Sequence, residues 1–84
     1  MLIITETKTI NTDRIAVICY NQVSDNNFYI YCDKNVVIGH LSEHIAKTLY
    51  DDIVYSLTSG KKTFNVRLHL DNILKTYSYR EVVL

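Results

Sequence analysis

Apolar residues recur along this chain in two periods, and the change from one to the other predicts its elements. Ile45, Ala46, Leu49, Tyr50, Ile53, Val54 and Leu57 fall at the i, i+1, i+4, i+5 spacing of one helical face, with Lys47, Thr48, Asp51 and Asp52 on the other. The spacing predicts an amphipathic helix over residues 42–58. Ser42 suits its N-cap, because a hydroxyl can accept from a free backbone N–H, and Glu43 suits the positive end of the helix dipole. Gly60 is a natural left-handed stop, with Lys61 and Lys62 at the negative end.

Elsewhere the pattern is that of strands. Leu2 to Ile10 is rich in β-branched residues and reads as one strand, followed by the turn-forming Asn11-Thr12-Asp13. Arg14 to Tyr20 is apolar on both faces, which predicts a central, covered strand. Asn21 to Asn27 reads as a polar connection. Two further strands, Phe28 to Cys32 and Val36 to Ile38, flank the turn Asp33-Lys34-Asn35.

Beyond the helix, a two-residue loop at Asp71-Asn72 predicts a hairpin, with Leu70 opposite Ile73, Val66 opposite Tyr77, Phe64 opposite Tyr79 and Lys62 opposite Glu81. One face then carries Phe64, Val66, Leu68, Leu70, Ile73, Tyr77 and Tyr79, interrupted by Lys75. The other carries Asn65, Arg67, His69, Thr76, Ser78 and Arg80, with Leu74 as its exception. A helix over residues 71–80, capped by Asp71, is the alternative. The expected fold is a single α+β domain over residues 1–84, in the order β-β-β-β-α-β-β. Its antiparallel sheet has five or six strands, and the helix packs on one face.

A chain of 84 residues buries only roughly 60% of the surface its unfolded form exposes. Its 48% hydrophobic residues supply a core without staples, and a formal net charge of zero argues against a general polyanion binder. The charge is uneven, however. Residues 1–60 carry four basic side chains against seven acids, and residues 61–84 carry five against two. No apolar run approaches the roughly eighteen residues that span a bilayer, and the first residues lack a basic leader, so a cytoplasmic protein without membrane contact is expected. Cys19 and Cys32 fall within predicted strands and read as reduced, buried thiols; adjacent strands also leave a disulfide open.

Each pattern suggestive of chemistry has a plainer reading. His40-Leu41-Ser42-Glu43-His44 matches H-x-x-E-H, in which zinc needs both histidines on one helical face. With Ser42 as the cap, His40 lies outside the helix, so neither a metal nor a cofactor is expected. Cys19 with His69, or Cys32 with His40, would be a nucleophile–base pair, but neither cysteine adjoins a feature that lowers its pKa. No catalytic residue is assigned, and the chain is not expected to be an enzyme.

Two candidate binding surfaces stand out. Tyr29 and Tyr31 lie opposite the Phe28, Ile30, Cys32 face, where exposed tyrosines suit protein interfaces. Arg67, His69 and Arg80 share the polar hairpin face, with Lys61 and Lys62 at its base, and could hold phosphate or an acidic patch.

Asn, Ile, Lys and Tyr supply more than a third of the residues, as AT-rich codon usage would give. The segment Ile10-Asn11-Thr12-Asp13-Arg14-Ile15 resembles the INTD-x-I segment of short uncharacterised proteins of Firmicutes, their phages and mobile elements. The likeness covers roughly residues 1–58. It implies origin and fold class and brings no functional residue with it.

The expectation is a small phage- or mobile-element-encoded protein that binds a host protein, such as a defence component, and inhibits or modulates it. A nucleotide- or nucleic-acid-binding module on the basic hairpin face is the alternative. Unpaired sheet edges further predict a homodimer.

Overall fold

The computed structural model describes the backbone of residues 1–83 and the side chains of residues 1–76. The elements are β1 (Leu2–Ile4), β2 (Thr9–Asn11), a 3-10 turn (Thr12–Arg14), β3 (Ile18–Ser24), β4 (Asn27–Cys32), β5 (Asn35–Leu41), α1 (Glu43–Thr58), β6 (Thr63–Asn65) and α2 (Val66–Val83). The class is α+β as expected. The single large sheet is not: there are two sheets of three strands, ordered β2-β1-β6 and β3-β4-β5.

Helix α1 forms where the stripe places it. Ser42 accepts from the Ile45 N–H at 3.4 Å, and Ala46, Leu49 and Ile53 are fully buried. Gly60 is left-handed at φ +75°, with Gly60 N–H donating to Leu57 O and Lys61 N–H to Ser56 O. Those two bonds satisfy carbonyls that the helix end would otherwise leave unpaired. Leu57, expected on the inner stripe, is 39% exposed, because the chain turns away one residue later.

The second sheet is an antiparallel meander on which α1 packs through β3 and β4. Two-residue loops join its strands, with Asn26 and Asp33 at positive φ, a conformation that Asn and Asp tolerate better than most residues. The carboxylate of Asp33 also accepts from the N–H groups of Ala16 and Val17 at 3.0–3.3 Å, which ties the approach to β3 onto this turn. The third strand is therefore displaced from the expected Arg14–Tyr20. It begins at Ile18 and takes in most of the supposed connection at Asn21–Asn27.

The expected first strand is broken in two. Thr5 Oγ1 accepts from the Lys8 N–H at 3.0 Å and closes a tight turn, so Ile3 faces Ile10 across a short antiparallel pair. On its other side β1 pairs in parallel with β6, Ile3 opposite Phe64. This parallel pairing seats Phe64 in the core at 1% exposure.

The largest correction follows directly. The predicted hairpin at 61–84 is a three-residue strand running into an 18-residue helix. Asn65 Oδ1 accepts from the Leu68 N–H at 3.1 Å, the bond of a helix N-cap. Val66, Leu70 and Ile73 are buried at the i, i+4, i+7 positions of one helical face, whereas Leu68 is 58% exposed. The expected pairings of Tyr77, Tyr79 and Glu81 lie outside the described side chains.

Register also settles the cysteines. Ile18 stands opposite Cys32 and Cys19 opposite Tyr31, so the two thiols point to opposite faces of the sheet and cannot be bridged without moving the backbone. Burial, then the neighbouring Asp33 carboxylate and Cys19, pushes the Cys32 thiol up to about 11. Iodoacetamide at neutral pH is expected to alkylate Cys19 in the native protein and Cys32 only after unfolding. Equal labelling of both in the native state would contradict the register.

Candidate functional site

Alternation along β4 sends Phe28, Ile30 and Cys32 toward α1 and leaves Tyr29 and Tyr31 on the outer face, as the sequence predicts. The two tyrosine rings stack with centroids 6.1 Å apart. Tyr29 lies across Gly39, where a Cβ would come within 2.6 Å of its ring carbons, so this crossing requires glycine.

Opposite Tyr29 the ladder is irregular. Phe28 pairs with Leu41 and Ile30 with Ile38, which leaves Gly39 and His40 together facing one residue. His40 takes φ +59° in this bulge, and its ring is hydrogen-bonded through Nε2 to the Tyr29 hydroxyl at 3.1 Å. A non-glycine residue held at positive φ costs on the order of 1 kcal/mol, and such strain is concentrated at functional sites. The H-x-x-E-H match is thereby split. His40 lies in β5, Glu43 opens α1, and no group of three metal-ligating side chains occurs among the described residues.

His40 also lines a cleft of about 590 Å3 between the β1–β2 turn, the end of β5, the start of α1 and the first half of α2. Val37, Leu41, Val66, Leu70 and the 44%-exposed Leu74 give it apolar walls. Thr5, Glu6, Thr7, Ser42 and Arg67 provide its polar groups. Arg67 Nε donates to Glu6 Oε1 at 2.7 Å, its Nη2 donates to the same oxygen, and Nη1 lies 3.7 Å from Asp71 Oδ1. Bonding to Glu6 and the Glu6 charge push the guanidinium pKa further up, so it stays charged. It staples the β1–β2 turn to α2.

The expected basic face is dispersed. Two residues apart on a helix are about 200° apart around its axis, so Arg67 and His69 look in opposite directions. His69 stacks on Phe64 with centroids 4.0 Å apart, and its Nδ1 sits 3.9 Å from Asp52 Oδ2, which places it between the two helices. Lys61 and Lys62 line a second hollow, of about 470 Å3, at the other end of the β1–β6 pair with Met1 and Asp13. The side chain of Arg80 lies outside those described.

Of the predicted binding residues, the structure thus brings together Tyr29, Tyr31 and Arg67, with His40 as the link. Glu6, Leu74 and the bulge were missed. Two signals for them were present: a lone glycine inside a strand pattern marks a bulge or close approach, and Leu74 was the apolar exception on the supposed polar face.

Among the described residues no helix is long and apolar enough to cross a membrane. No family model, curated protein or solved structure matches the chain.

Proposed function

We propose that this domain acts by binding another protein through the surface that runs from Tyr31 and Tyr29 over His40 into the cleft. The observation that carries the reading is the make-up of that surface. Half-buried stacked tyrosines adjoin an apolar-walled hollow lined also by the Arg67–Glu6 ion pair. Its volume falls within the roughly 300–1,000 Å3 of binding pockets, so one apolar anchor of a partner would fit, with Leu74 at the mouth. Tyrosine covers large area at little cost in side-chain freedom, and Arg67 and Glu6 supply a polar rim.

The codon-like composition and the INTD-x-I resemblance support a phage or mobile-element protein whose partner is a host protein. In that role it would inhibit or modulate the partner, a defence component being one such target. The nucleic-acid alternative draws less support, since Arg67 is engaged by two carboxylates and Lys61 and Lys62 line the second hollow.

The test is affinity capture from cells of the source organism, using the wild type beside Leu74→Arg and Tyr31→Ala. A protein recovered by the wild type should be lost with both variants, while their circular dichroism and melting stay unchanged. Recovery indifferent to both would reject this surface. Substrate turnover abolished by one polar substitution would reject the non-enzymatic reading altogether.

A further inference from the structure

The meander has two edges of different character. At β5 the edge is irregular twice over. Val37 has no pairing partner between Ile38 and Val36, and Gly39-His40 bulge with a positive φ. Such irregularities keep an edge from accepting another strand. The edge strands of the other sheet, β2 and β6, are only three residues long.

At β3 the irregularity is confined to one end. Its seven residues, Ile18–Ser24, contain no charge and no proline, and the ladder is regular over Ile18–Gln22, with Val23 alone unpaired before Ser24. Among the described residues no strand pairs with its outer side.

The direction of its free groups can be deduced. Val17 donates its N–H to Asp33 and accepts from the Asp33 N–H at 2.8 Å, so Val17 faces β4. Antiparallel ladders alternate, so Ile18, Tyr20 and Gln22 turn their N–H and C=O groups outward. Groups that pair only with extended backbone define the chemistry of the occupant: it is a strand.

We propose that this strand is β3 of a second copy, paired antiparallel about a two-fold axis at Tyr20. Three observations favour self-pairing. Val17 and Val23, 54% and 55% exposed, lie three residues to either side of Tyr20, so this register sets Val17 of each copy opposite Val23 of the other. Tyr20 meets its own counterpart and extends the aromatic row it already forms with Tyr50, centroids 5.1 Å apart, and with Phe28. An uncharged strand meets no like charge across the axis, and the chain as a whole has zero formal charge. The result is a continuous six-stranded sheet. Its outer edges are the two bulged β5 strands, so both copies keep the His40 cleft open. The proposal does not depend on what that cleft binds.

Sedimentation velocity of the full chain across the micromolar range tests it, and a reversible dimer is expected. Gln22→Pro removes one outward N–H without touching the β4 ladder, and should raise the dimer dissociation constant at least about tenfold, or roughly 1.4 kcal/mol. Combining Val17→Lys with Val23→Lys should give monomers, because each lysine then faces another. Combining Val17→Lys with Val23→Glu should restore the dimer, since only pairing about Tyr20 sets lysine against glutamate. The two valines are exposed, so these pairs leave the fold intact. A wild type that stays monomeric overturns the proposal. So does a lysine–glutamate variant no more dimeric than the double-lysine one, or a dimer indifferent to all three changes.

Discussion

Phe64→Ala is expected to leave this domain largely unfolded or close to it. Phe64 is 1% exposed and among the largest fully buried side chains. It joins three parts of the core, because β6 pairs it with Ile3 of β1 and its ring stacks on His69 of α2. Truncating a buried phenylalanine costs about 3–5 kcal/mol, from lost transfer energy and the cavity left behind. At 0.05–0.15 kcal/mol per residue, a chain of 84 residues has a total stability of roughly 4–13 kcal/mol. The substitution thus removes a large share of it. Urea unfolding should show the midpoint falling toward zero denaturant, with little change in slope where a transition survives. Leu68→Ala is the internal control. A hairpin would bury Leu68 beside Phe64, whereas on α2 it is 58% exposed, and its truncation should change stability by no more than about 0.5 kcal/mol. A large loss at Leu68 with a small one at Phe64 would contradict the packing.

At Asn72 the two architectures predict opposite signs. Asn72 is exposed in the interior of α2, and its carbonyl accepts from the Thr76 hydroxyl at 3.0 Å. Asn72→Pro would delete a helical N–H bond and drive the pyrrolidine ring into the preceding turn, at a cost of about 3 kcal/mol or more. Asn72→Ala should stabilise the protein by roughly 0.5 kcal/mol, as alanine is the better helix former. Were Asp71-Asn72 a tight hairpin turn, alanine would destabilise instead, because it tolerates positive φ poorly. Urea midpoints and far-ultraviolet circular dichroism of the two variants decide between them. A stable Asn72→Pro protein with undiminished helical signal would rule out α2 as described.

The reason this element was misread lies in residues 64–73. Phe64, Val66, Leu68 and Leu70 alternate as a strand does, while Val66, Leu70 and Ile73 also satisfy a helical face. Both periods fit, and the hairpin reading tolerated its two exceptions, Lys75 and Leu74. In the helix those exceptions vanish, since both are exposed and Leu74 becomes part of the cleft. The Asn65 cap was the local clue, six residues before the cap at Asp71 that the helical alternative uses.

The candidate site was legible wherever it depended on alternation alone. Tyr29 and Tyr31 share a face because residues two apart on a strand must, and the Ser42 cap put His40 outside the helix. The grouping of Arg67 with His69 failed for the same physical reason in reverse, since neighbours on a strand face are nearly opposite on a helix. Glu6 reaches Arg67 across sixty-one positions of sequence, and no local pattern encodes such a contact.

Local sequence therefore determined α1 with both its caps, the inward face of β4, and most of the residues that became the core. These depend on periodicity and on side chains bonding to adjacent backbone, which act within one element. Tertiary structure decided the division into two sheets, the parallel match of β6 to β1, the helical fate of the last third and the composition of the cleft. Each of those depends on which distant surface is left to be covered. Once β1 takes β6 as a parallel neighbour and seats Phe64 inside, the residues that follow start from the Asn65 cap and do not return along the free edge of β6. They bury Val66, Leu70 and Ile73 along a helix instead.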